Sequence, residues 1–227
     1  MPPPLLPLLA GLEGAMQVLA TGAALPAFDC HCPLLSLPLA FKTDLHTIPA
    51  GIPYIRSDAV RVGTWRDRLG HKTKPRVGMV WSGATEHKND HNRSLALAQM
   101  LPLVFDWAEW VSLQKEVRKT DAELLASRTD IRHFGDELED FADTAALVEL
   151  MDVVVTVDSS VAHLAGAMGK VVWILLPFNP DWRWLLERED SAWYPTARLF
   201  RQPAIGEWAS VIERVREELA QHFGARR

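Results

Sequence analysis

Short apolar runs alternate along the chain with segments whose apolar residues recur at helical spacing. Val77–Trp81, Trp110–Leu113, Ile131–Phe134, Val153–Val157 and Val171–Leu176 are apolar or β-branched almost throughout and read as strands. Between them, Leu95–Phe105, Thr120–Ala126, Thr144–Met151 and Val161–Met168 read as helices. A strand that is apolar at every position is buried on both faces, which calls for a parallel sheet covered by helices. Regular alternation of the two element types predicts right-handed crossovers and a doubly wound α/β sheet. Asp140 or Asp143 is placed to cap the helix through Met151, and Gly169 to end the helix through Met168. A last amphipathic stretch, Ile205–Phe223, sets Trp208, Val211, Ile212, Val215 and Leu219 on one face.

The rhythm is absent before residue 77. Residues 1–55 are apolar with scattered prolines, and residues 56–76 are polar and basic, as a connector between domains would be. The expected organisation is an N-terminal remnant (1–55), a linker (56–76), a doubly wound domain (77–205) and a C-terminal helix (206–227). No repeat of fixed period is visible. The apolar start carries no positive charge before Lys42, unlike a secretory signal. Leu164–Phe178 is too short, and too interrupted by Lys170 and glycine, to span a bilayer. A cytoplasmic protein is expected.

Composition narrows the function. Of 227 residues, 48% are hydrophobic, enough for a packed core and incompatible with global disorder. Lys plus Arg is 24 and Asp plus Glu is 29, a net charge of −5. Without a clustered basic surface, nucleic acid is not the expected partner. Cys30 and Cys32 stand too close to bridge one another readily, so a reducing compartment is the default. The chain has neither a Gly-x-Ser-x-Gly nucleophile elbow nor a GxxxxGK[ST] phosphate loop, which counts against a serine hydrolase and a P-loop NTPase.

In such sheets ligands bind beyond the carboxyl ends of the strands, so the loops there are where chemistry belongs. After Val153–Val157 come Asp158, Ser159 and Ser160, opening a helix of small residues. Its first N–H groups and dipole make an anion site to which the two serines add donors, and Asp158 is placed to accept from sugar hydroxyls. His163 lies one turn on and faces either this pocket or the core. The same residues also read as a plain N-cap, at Ser160, with a satisfied histidine. The long polar loop Ser82–Ser94 holds Gly83, which allows close approach, and Lys88 and Arg93, which can neutralise a diphosphate; a solvated surface loop is the plainer reading. Its His87, Asp90 and His91 have ligand chemistry but no accompanying cluster, so no metal site is expected. Lys115 ends the second strand within reach of a phosphate or a base carbonyl, or lies exposed. Cys30-His31-Cys32 does not make a comfortable tetrahedral zinc site. Asp29 and His31, two apart, share one face of an extended chain and are candidates for acceptor binding or general-base work, or simply surface residues. Pro177–Trp184 suits a rigid pocket wall in which Trp182 and Trp184 stack on a ring or pack.

Asp158-Ser159-Ser160-Val161-Ala162-His163-Leu164-Ala165 resembles the Asp-(Ser/Thr)-(Gly/Ser)-x-x-His-x-Ala signature of glycosyltransferase family 9, the ADP-heptose:lipopolysaccharide heptosyltransferases. A wider set of blocks resembles the C-terminal region of bacterial tetratricopeptide-repeat glycosyltransferase-like proteins, which are distantly similar to O-GlcNAc transferases. These blocks are Phe28–Pro38, Ser112–Lys115, Phe141–Leu147 and Pro177–Trp184. The resemblance implies the GT-B fold, two Rossmann-like domains facing across a cleft, with the C-terminal one binding a nucleotide sugar, usually without a metal. It implies that Asp158 binds donor sugar hydroxyls, that Ser159 and Ser160 hold the diphosphate, and that His163 supports their loop. Arg93 falls roughly where heptosyltransferases place a phosphate-binding lysine, and Ser160 stands where the signature usually has glycine.

A GT-B N-terminal domain would be on the order of 150 residues, whereas about 55 precede the connector here. The chain therefore reads as a fragment or as a start-site error. Its apolar N-terminal remnant, Leu5–Leu25, is expected to seek a partner, a second copy included. The implied function is transfer of a sugar from a nucleotide diphosphate to a glycan or protein acceptor hydroxyl, with no cofactor. The presumed base of the heptosyltransferases lies on an N-terminal loop without a counterpart here, so Asp29 or His31, from their spacing alone, is the candidate base. The alternatives are a non-catalytic binding or scaffold module derived from such an enzyme, and a metal phosphohydrolase using His87, Asp90 and His91.

Overall fold

The computed structural model describes residues 1–15 and 17–224. Six strands form one wholly parallel sheet: β1 (Arg76–Val80), β2 (Glu109–Ser112), β3 (Ile131–His133), β4 (Val153–Val157), β5 (Val172–Leu176) and β6 (Ala197–Arg201). Their order is β3-β2-β1-β4-β5-β6, so the chain reverses direction across the sheet between β1 and β4. That reversal opens a crevice above the carboxyl ends of β1 and β4. Nine helices accompany the strands among the described residues: α1 (Leu6–Leu9), α2 (Leu37–Ala40), α3 (Ala59–Leu69), α4 (Asp90–Arg93), α5 (Leu97–Met100), α6 (Lys119–Ala126), α7 (Phe141–Glu149), α8 (Ser160–Ala167) and α9 (Ala209–Gly224).

Alternation along the strands builds two cores. In β4, Val153, Val155 and Val157 face α5, α6 and α9, while Val154 faces α3, α7 and α8. All five residues of β1, β4 and β5 are buried, as their largely apolar sequences require, and the exception in β1, Arg76, is paired with Glu109 at 2.7 Å. Asp140 caps α7 by accepting from the Ala142 and Asp143 N–H groups at 2.7 and 3.2 Å. Gly169, at φ +71°, ends α8 in the left-handed conformation that glycine adopts without strain.

Three segments depart from the sequence expectation. The stretch predicted as a linker contains α3, capped by Asp58 and packed on α7 through Val62, Trp65 and Leu69. Its Arg61 ties the two helices by bonding both Asp140 oxygens, at 2.9 and 3.1 Å, and by an ion pair to Asp143. Leu95–Phe105 holds only the single turn α5 and a 3-10 turn, Leu101–Leu103; Pro102 has no N–H with which to continue an α-helix. Strand β6 went unpredicted because its sequence alternates apolar residues with arginines. As an edge strand it places Arg198 against Glu218 of α9 at 2.8 Å, which accounts for the charge.

Residues before α3 form short helical turns, with no strand among those described. Leu8 packs against the α7 side of the core. The exposed apolar surface lies further along than expected, at Leu25, Phe28, Leu34, Leu35, Leu39 and Phe41. No helix among the described residues is long and apolar enough to cross a membrane.

Candidate functional site

A cavity of about 550 Å³ opens above the β1–β4 crevice. It is lined from three strand ends: Ser82, Gly83 and Arg93 after β1, Leu113–Glu116 after β2, and Ser159–Val161 after β4. Phe141 and Thr144 of α7 form its apolar side, and Pro4 of the N-terminal turn closes one edge.

Its floor is tied together by loops distant in sequence. The Gln114 side-chain oxygen accepts from the Trp81 and Ser82 N–H groups, each at 3.3 Å. Its amide donates to the Ser82 carbonyl at 2.9 Å and the Glu116 carbonyl at 3.0 Å. All four polar valences of a buried amide are thus used to join the β1 and β2 loops. Arg93 Nη1 donates to the Asp158 carbonyl at 2.8 Å, joining the β1 loop to the β4 loop. Its guanidinium lies directly on Gly83, where a Cβ would stand 2.5 Å from Nη2. Any side chain at 83 would therefore displace the arginine.

The opening of α8 is left available to a ligand. Ser159 occupies the N-cap position, but its hydroxyl turns back to Thr156 Oγ1 at 3.0 Å and does not cap the helix. Ser160 is the first helical residue and is exposed, so the expected serine cap at that position is replaced by an uncapped helix end. The Ser82 hydroxyl, in a residue only 2% exposed, has no hydrogen-bond partner; Arg93 Nε makes no hydrogen bond either but faces Asp90 Oδ1 in an ion pair at 3.9 Å. A buried polar atom without a partner is costly, and these two lie beside an uncapped helix N-terminus. A free hydroxyl and free helix N–H groups have the donor chemistry that suits an anion.

His163 faces inward. Its ring stacks on Trp184 at 5.0 Å between centroids, and Nδ1 shares a hydrogen bond with the Tyr194 hydroxyl at 3.1 Å. Burial holds its imidazole below the usual histidine range, against the opposing pull of Asp158. Burial pushes the Tyr194 phenol up, and nearby Tyr54 adds to this. A neutral imidazole and a protonated phenol therefore make this bond near neutral pH. Tyr194 in turn lies on Gly166 of α8, where a Cβ would meet its ring at 2.4 Å.

Arg93, Lys115, Ser159 and Ser160 thus come together around one cavity. Lys115 Nζ donates to the Leu138 and Glu139 carbonyls, which places it at the α7 rim. Asp158, 8% exposed directly after β4, precedes the helix opening but does not line the cavity, and neither does His163. Lys88 is exposed on the β1 loop and does not line the cavity. Asp29 and His31 are exposed on the N-terminal segment and do not line it either. Asp90 is held by Ser94 at 2.7 Å and Arg118 at 2.5 Å, so its carboxylate serves the loop, not a trio with His87 and His91. Among the described residues, no group of three or more His, Cys, Asp or Glu stands close enough to hold a metal ion. Ser82 and Gln114 escaped the sequence reading. A serine or glutamine at a strand end carries no signal until the neighbouring strand is in place.

No family model matches the chain. A structural comparison aligns it with the E. coli ADP-heptose lps heptosyltransferase II at a TM-score of 0.50 and 16% identity. That alignment covers 78% of this chain and 55% of the heptosyltransferase chain. The likeness shows a shared Rossmann-like α/β fold. In sequence, the chain is 24% identical over 185 residues to Protein FlbA of Caulobacter vibrioides. This match takes in 78% of the chain and 30% of FlbA, so the chain spans about a third of that relative's length.

Proposed function

We propose that the chain forms the donor-binding domain of a GT-B-type glycosyltransferase related to the heptosyltransferases and to the tetratricopeptide-associated glycosyltransferases. Its ligand in this reading is a nucleotide-diphosphate sugar, and the acceptor is a hydroxyl of a glycan or protein. One observation carries it: the uncapped N-terminus of α8 opens, with Ser159, Ser160, Arg93 and the unpartnered Ser82 hydroxyl, onto a cavity of nucleotide size.

The chemistry follows from the charge that must be stabilised. The acceptor oxygen attacks the anomeric carbon, the bond from that carbon to the phosphate oxygen breaks, and the nucleoside diphosphate leaves with the electron pair. Arg93 and the α8 N–H groups sit where that negative charge develops, with Lys88 and Lys115 on the flanking loops. No metal or other cofactor is needed in this assignment, which binding in the presence of EDTA checks. Asp158 takes the donor sugar hydroxyls, and His163, pinned by Tyr194 and Trp184, holds the helix that presents them. Asp29 or His31 receives the acceptor proton.

Asp158→Ala is expected to abolish binding of the nucleotide sugar and to spare the free nucleoside diphosphate. Calorimetry on both ligands checks this, and equal loss of both removes Asp158 from the sugar. The second reading, a non-catalytic module that recruits partners or a second copy, draws on the exposed run from Leu25 to Phe41. It predicts concentration-dependent mass in light scattering and no transfer or hydrolysis of nucleotide sugars.

A further inference from the structure

We infer that the turn Asp181-Trp182-Arg183 is the platform for the sugar ring of the bound donor, a pyranose. The inference rests on the donor-binding reading above and adds the direction in which the ligand lies.

The cavity takes its lining from the ends of β1, β2 and β4, and nothing from the end of β5. Strand β5 is the next neighbour of β4 on the far side from β1. A nucleoside in the cavity with its diphosphate at the α8 opening therefore directs its sugar toward the β5 end. There the chain enters Pro177–Trp184, stiffened by Pro177 and Pro180.

Three features of this turn suit a sugar. Trp182 is 60% exposed, an unusual position for so large an apolar ring. The Arg183 guanidinium lies 4.6 Å from its ring centroid, and Trp193 meets it edge-on at 6.2 Å, so the indole is fixed in place. The electron-rich face of an indole attracts the C–H-bearing face of a pyranose. Asp181 supplies the polar part. Its Oδ1 accepts from the Arg183 N–H at 3.0 Å and Nη1 at 2.9 Å, while Oδ2 makes no hydrogen bond among the described residues and is left for a hydroxyl. Trp184, at the end of the same turn, stacks on His163 of α8 at 5.0 Å between ring centroids, so the turn packs against the helix whose N-terminus opens onto the cavity.

The test titrates the full chain with UDP, GDP, ADP and CDP, then with hexose conjugates of whichever nucleotide binds. Trp182→Ala is expected to leave the free nucleotide unchanged and to weaken the nucleotide sugar about ten-fold. Trp182→Phe should recover most of the loss. Asp181→Asn should weaken the sugar conjugate while sparing the nucleotide. Unchanged affinity of Trp182→Ala for the sugar conjugate, or equal loss of both ligands, overturns the platform and leaves the donor reading intact. Glycan binding without nucleotide that is lost in Trp182→Ala moves the platform to the acceptor and overturns the assignment. No nucleotide binding by the native chain overturns both.

Discussion

Arg93 is the residue on which the loops around the cavity converge. It bridges the β1 and β4 loops through the Asp158 carbonyl and rests on the bare backbone of Gly83. Gly83→Ala pushes the guanidinium off that seat, and the flexible arginine can yield without unfolding the domain. The expected outcome is about ten-fold weaker binding of a nucleoside diphosphate with little change in unfolding midpoint. Unaltered affinity would show that Arg93 does not meet the phosphates. His163 makes a different prediction, through pH. Its folded-state pKa is depressed by burial, so near and below about 6.5 the unfolded chain binds a proton that the folded chain does not. The stability it contributes is therefore complete above that pH and is lost as the solution is acidified toward the depressed value. His133, likewise depressed by burial, adds a parallel slope, so the comparison is with His163→Gln. The native chain should lose more stability than the variant between about pH 7 and pH 5 in urea titrations. Parallel profiles would remove His163 as the source.

At the scale of elements, the parallel core was legible and its margins were not. Val153–Val157 and the strand before Pro177 are apolar or β-branched at every position, and only a strand covered on both faces explains that. Helix α3 was hidden because only Val62, Trp65 and Leu69 are buried in it, among arginines that pair with α7 or face solvent. Strand β6 was hidden because arginines interrupt its alternation. The site divides in the same way. Ser159, Ser160 and Arg93 sit at strand ends or in a long polar loop, where pattern alone directs attention. The role of Gln114 depends on Ser82, 32 residues away, and that of His163 on Tyr194, 31 residues away. Such pairings follow from topology, not from local sequence. Asp121 of α6 is another: 3% exposed, it accepts from the Trp81 indole at 2.9 Å and the Leu97 N–H at 3.1 Å. Asp121→Ala strands both donors and should cost about 3 kcal/mol of unfolding free energy, with Asp121→Asn losing roughly half as much. A loss below about 1 kcal/mol in the alanine variant would mean that water replaces the carboxylate.

For the whole molecule, we propose that one Rossmann-like sheet with its loops makes a formed donor site. The crevice between β1 and β4, the uncapped α8 and the orphaned Ser82 hydroxyl all point at the same volume. The N-terminal segment contributes Pro4 to that volume, and its apolar residues from Leu25 to Phe41 remain turned to solvent. The structural relative is longer than this chain, yet every residue assigned here to the diphosphate lies between Ser82 and Ser160. The site should therefore bind nucleotide in the chain as it stands. Calorimetric titration with UDP, GDP, ADP and CDP in the presence of EDTA tests that most directly. Micromolar binding of one of the four, with no requirement for metal, is the expected result. Absence of binding by all four would contradict it and move the non-catalytic module ahead.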